Sequence, residues 1–96
     1  MSDKDDEQPP QHIKINTGDE ISRGHYSNLM LASHSPDEFI LDWLLNSPNG
    51  PHLVARIIIS PATLKRTIET LSLSLKQYED KFGAVKLTKL DEQKFH

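Results

Sequence analysis

An α+β domain is what this chain predicts: an antiparallel meander of three to four strands with one long C-terminal helix packed on it. Three observations carry the reading. Two alternating apolar runs, Tyr26 to Ala32 and Phe39 to Leu45, flank Ser33-His34-Ser35-Pro36-Asp37-Glu38, a segment suited to a chain reversal. A third run, Leu53 to Ile59, closes on three consecutive isoleucines, and β-branched residues favour strands. Finally, Leu64, Ile68, Leu71, Leu75, Tyr78 and Phe82 recur at alternating intervals of four and three, the spacing of one helical stripe.

Taken in order, residues 1 to 11 hold no apolar side chain after Met1 and read as a disordered acidic tail, because nothing in them can offset the entropy of ordering. Ile13 and Ile15 alternate with Lys14 and Asn16 and form the uncertain fourth strand, closing at Thr17-Gly18-Asp19-Glu20. In the next run Leu29 and Leu31 share one face and Met30 and Ala32 the other. In the third, Phe39, Leu41, Trp43 and Leu45 oppose Ile40, Asp42 and Leu44. Between these runs Ser35, Pro36 and Asp37 fit the first three positions of a type I turn. Asn46-Ser47-Pro48-Asn49-Gly50-Pro51 is the densest breaker cluster, and it separates the third run from Leu53 to Ile59. Ser60 offers an N-cap hydroxyl, Pro61 suits the first helical position, and Gly83 suits the C-terminal stop. A helix of about 22 residues is about 33 Å long, against about 23 Å for a seven-residue strand, so it must overhang the sheet. The domain is expected over residues 12 to 83, with 84 to 96 a partly ordered tail.

With 96 residues, a net charge of −3 and no cysteine, the chain is bounded to one small domain without disulfides or thiolate sites. The acidic N-terminus is the reverse of a signal peptide, and no apolar run reaches the roughly 18 residues of a membrane span, so a cytoplasmic protein without membrane contact is expected. Residues 63 to 96 carry seven Lys or Arg, but five acids are interleaved with them, which argues against a phosphate-tracking stripe.

No residue set points to an enzyme. His12, His25, His34, His52 and His96 lack the fixed spacing of a metal site. Ser33, His34, Ser35 and Asp37 sit together in one turn and cannot aim at a single reacting atom. Glu38 and Asp42 lie about 13 Å apart along one strand, too far for the usual catalytic carboxylate pair. The glycines form neither a P-loop nor a dinucleotide fingerprint, and no cofactor is expected. What exceeds the ordinary is apolar surface. If the helix covers the face bearing Phe39, Leu41 and Trp43, then Met30, Ile40 and Leu44 face something else, and the helix overhang leaves Leu75, Tyr78 and Phe82 free. These six are the candidate interface. The marginal core of so short a chain makes a homodimer or larger assembly the expectation.

The string Tyr26-Ser27-Asn28-Leu29, then Ser33 to Trp43, then Ala55-Arg56-Ile57-Ile58-Ile59-Ser60-Pro61 with Lys65-Arg66, and Tyr78-Glu79-Asp80-Lys81-Phe82-Gly83 resembles small prokaryotic proteins of the domain of unknown function family 3467. That resemblance implies no activity, cofactor or catalytic residue. Strands followed by one long helix are also similar to the subunit of the export chaperone SecB, a likeness of architecture alone. The functional expectation is a non-enzymatic oligomeric interaction protein that binds a protein or peptide partner. The alternatives are a nucleic-acid-associated protein, which needs Arg23, Arg56, Lys65, Arg66, Lys86, Lys89 and Lys94 on one surface, and a SecB-like chaperone or adaptor.

Overall fold

The computed structural model describes residues 13–87. Element order is α1 (Asp19–Arg23), β1 (Leu29–His34), β2 (Phe39–Ser47), β3 (Gly50–Ile59) and α2 (Pro61–Phe82). The strands form an antiparallel sheet in the order β1-β2-β3, and with the long helix they give the expected α+β meander. The expectation for residues 1 to 11, and that for most of the C-terminal tail, lie outside the described residues.

Local chemistry explains the strand ends. β1 starts at Leu29, not at Tyr26: the Asn28 N–H still donates to the Leu44 carbonyl at 3.1 Å, but beyond that bond the Ser27 and Asn28 side chains take over the pairing. The Ser27 hydroxyl donates to the Leu44 carbonyl at 2.7 Å, and the Asn28 side chain both accepts from the Asn46 N–H at 2.8 Å and donates to the Asn46 carbonyl at 3.1 Å. At the other end, the reversal falls at Ser35 to Glu38 as expected. The bond across it runs from the Ser35 N–H to the Glu38 carbonyl at 2.9 Å, opposite in sense to the bond that closes a type I turn. The breaker cluster shrinks to Pro48 and Asn49, since Ser47 already pairs with Gly50 and Asn46 with Pro51. Gly50 makes so short a connection possible at φ 101°, which a side-chain-bearing residue rarely adopts. Pro51 is tolerated because β3 is an edge strand.

One expectation is corrected in the segment before the sheet. Residues 13 to 15 form no strand, and Ile13 and Ile15 are 65% and 72% exposed. The single turn α1 follows instead, with Asp19 and Glu20 at its N-terminus and Arg23 at its C-terminus, charges that suit the helix dipole.

Helix α2 runs from Pro61 to Phe82, between the caps expected at Ser60 and Gly83. The Ser60 hydroxyl accepts the Thr63 N–H at 3.1 Å, and the Gly83 N–H reaches the Glu79 carbonyl at 2.8 Å. Its packing is corrected, however. The principal tertiary contacts lie within the two strand pairs, and only Leu64, Thr67 and Glu79 on the helix are even half-buried. The reason is the junction. Only Ser60 separates β3 from α2, whereas a helix that folds back over its sheet ordinarily uses a connection of about 2–6 residues. The helix therefore leaves the end of the sheet with its apolar stripe uncovered. Leu41, at the centre of β2, is the only buried hydrophobic residue among those described, at 8% exposure. Trp43 shares its face but stays half-buried, so it is not the core residue its neighbours in the sequence imply.

Candidate interaction surfaces

Strand register sorts the apolar residues into two faces, each a grid of three rows. On one face the rows are Met30–Trp43–Ala55, Ala32–Leu41–Ile57 and His34–Phe39–Ile59, and the His34 and Phe39 rings lie 5.2 Å apart. On the other they are Leu29–Leu44–Leu53, Leu31–Asp42–Arg56 and Ser33–Ile40–Ile58. The second face keeps continuous rows because β3 changes register between its pairs with Trp43 and Leu44, leaving Val54 as an extra residue. Without that bulge Leu53 would point to the opposite face.

At the middle of the second face Arg56 grips Asp42, with Nε 2.7 Å from Oδ1 and a terminal guanidinium nitrogen 3.0 Å from Oδ2. The Asp42 side chain is 21% exposed and that of Arg56 55%. The hydrogen bond from Arg56, reinforced by its charge, holds the Asp42 carboxyl below the usual carboxylate range against a smaller opposing effect of burial, and Asp42 raises Arg56 in return. A bidentate pair of this kind is geometrically specific for the β2–β3 register and presents a polar spot within an apolar grid.

Of the candidate interface, Ile40 and Leu44 lie on this second face and are half-buried. Met30 is corrected to the other face, where it stands opposite Trp43. Alternation within each strand was legible, but the offset between strands depends on the turn, so Met30 could not be assigned from sequence. Leu75, Tyr78 and Phe82 do lie on one stripe of α2, at 49%, 51% and 66% exposure, with the two rings 4.9 Å apart. Leu31, Leu53 and Ile58 extend the second face and are each more than half exposed. In the sequence Arg56 stands out only as a basic residue. Its tie to Asp42 is the feature sequence reasoning missed, and opposite charges on neighbouring strands were its only signal.

Among the described residues no cavity opens and no group of three His, Cys, Asp or Glu side chains is placed to hold a metal ion. No helix there is long and apolar enough to cross a membrane.

What the architecture defines is a small α+β unit whose apolar surfaces, two sheet faces and a helix stripe, are its chief chemical asset. The chain belongs to the family described as Protein of unknown function (DUF3467), whose sequence profile matches residues 1–87. No curated protein and no solved structure matches it, so the likeness to SecB rests on element order alone.

Proposed function

We propose that this is a non-enzymatic, cytoplasmic interaction protein that works as a homo-oligomer and holds an extended apolar segment of a protein partner on the sheet face carrying Ile40, Leu44 and Ile58. The observation that carries this reading is the mismatch between apolar content and burial. Among the described residues one leucine is buried, while Leu31, Leu53, Ile57, Ile58 and the helix stripe from Ile68 onward remain about half exposed. Burying a leucine fully contributes about 1.5–3 kcal/mol, and ordering one residue's backbone costs about 1–2 kcal/mol, so a single copy lacks the burial that its ordered length requires. A second copy is the partner always present at matching concentration. An extended apolar strand would suit the second face by shape, since its rows run across three strands and the Asp42–Arg56 pair at the centre offers both a donor and an acceptor.

The nucleic-acid alternative loses support in the same geometry. Arg56, one of the basic residues that reading needs, is already bound to Asp42. Light scattering tests the oligomer directly: a mass of at least twice 10.9 kDa at high micromolar concentration is expected, and a monomer mass overturns it. For the binding face, the double variant Ile40→Asp/Leu44→Asp should keep its oligomer mass and lose retention of a reduced, carboxymethylated unfolded polypeptide. Equal retention by both proteins, or none by the wild type, would refute the assignment.

A further inference from the structure

We infer that the second copy is engaged through α2, with the two helices paired antiparallel about an axis near Leu73; this rests on the homo-oligomer reading above. The stripe has the alternating four-three spacing of a coiled-coil seam, in which Leu64, Leu71 and Tyr78 occupy one core position and Ile68, Leu75 and Phe82 the other. In an antiparallel pair each core position of one kind faces the other kind across the axis. Every layer of this seam then finds a match: Ile68 meets Tyr78 of the second copy, Leu71 meets Leu75, and Leu64 meets Phe82. No layer is left over, and each large ring faces an aliphatic side chain instead of its own copy.

Charge selects the same orientation. In the antiparallel pair the flanking rows set Lys65 beside Glu79 of the second copy twice, with Ser72 or Ser74 facing itself near the axis and Lys81 beside the neutral Thr67. Glu79 can take part, because only its Oε2 is used, accepting the Val85 N–H at 2.8 Å. The parallel pair instead stacks Tyr78 on Tyr78 and Phe82 on Phe82 and brings no opposite charges together. Exposed ion pairs add little affinity, so the apolar layers hold the dimer and the charges choose its direction. The backbone leaves room for this. From Ile68 onward the stripe residues are 49% to 66% exposed, and the one-residue junction at Ser60 carries the helix clear of its own sheet.

The chain has no native cysteine, so single labels are unambiguous. Ser74→Cys and Lys81→Cys occupy equivalent flanking positions and can each carry a nitroxide for pulsed distance measurement in the full chain. Antiparallel pairing places the two Ser74 positions about 3 Å apart along the axis and the two Lys81 positions about 24 Å apart, from 1.5 Å of rise per residue. A short Ser74 separation with a clearly longer Lys81 separation is expected, together with a monomer mass for Leu75→Asp. Equal separations at the two positions would mean parallel helices and overturn the inference. An oligomer in which neither label finds a near partner would also overturn it and move the contact to the sheet, leaving the oligomer reading intact. A monomer mass for the unsubstituted chain would overturn both.

Discussion

Replacing Asn28 by alanine removes a side chain that supplies the rung beyond the last main-chain bond of β1, the Asn28 N–H to the Leu44 carbonyl. It makes two hydrogen bonds with the main chain of Asn46, accepting the N–H at 2.8 Å and donating to the carbonyl at 3.1 Å. A protein hydrogen bond contributes a net of about 0.5–1.5 kcal/mol, so the pair is worth about 1–3 kcal/mol. The site is half-buried, so water can replace part of the loss, and the lower half of that range, about 1–2 kcal/mol, is the expected effect. Chemical denaturation at one fixed protein concentration measures it without confusing stability with assembly. Hydrogen exchange localises it: the Asn46 amide should lose protection while the Leu41 amide, at the centre of the sheet, keeps protection close to the global limit. Asn28→Asp separates the two bonds, since a carboxylate can still accept from the Asn46 N–H but faces the Asn46 carbonyl without a proton to donate. A loss below about 0.5 kcal/mol with unchanged Asn46 exchange would refute the claim that this side chain terminates β1.

Three further outcomes are expected. The Asp42 carboxyl is held below its usual value of 3.8 in the folded protein, so the Arg56 pair contributes fully above that value and is lost as pH falls through the lowered one. The stability difference between wild type and Asp42→Asn should accordingly be flat near neutrality and shrink below about pH 4; a difference that grows on acidification would contradict the ion pair. Ser60→Ala should cost about 1 kcal/mol by freeing the Thr63 N–H, and Ser60→Asp should recover most of it, as read by thermal unfolding. Gly83→Ala has open space for its methyl group, but φ 100° and ψ 164° belong to a region essentially confined to glycine, so about 1–3 kcal/mol of strain is expected; an unchanged unfolding midpoint would show that the helix end relaxes.

The elements were legible because their signals are local. The Ser60-Pro61 start and Gly83 stop of α2 act on neighbouring main-chain groups, and the alternation of Phe39 to Leu45 follows from strand pleat alone. α1 was missed although Asp19, Glu20 and Arg23 carry its charge pattern, because a single turn leaves no apolar period to detect.

By itself, then, the chain's order of residues determined three strands, one long helix, their approximate ends and an excess of apolar surface. Tertiary structure alone decided that Met30 stands with Trp43, that Asp42 meets Arg56, and that Val54 is spent on a bulge, since each depends on the offset between strands that are distant in sequence. It also decided that α2 leaves the sheet uncovered. Periodicity records which side of a helix is apolar, but the direction the helix takes comes from the geometry of the Ser60 junction, and that direction leaves the stripe exposed from Ile68 onward.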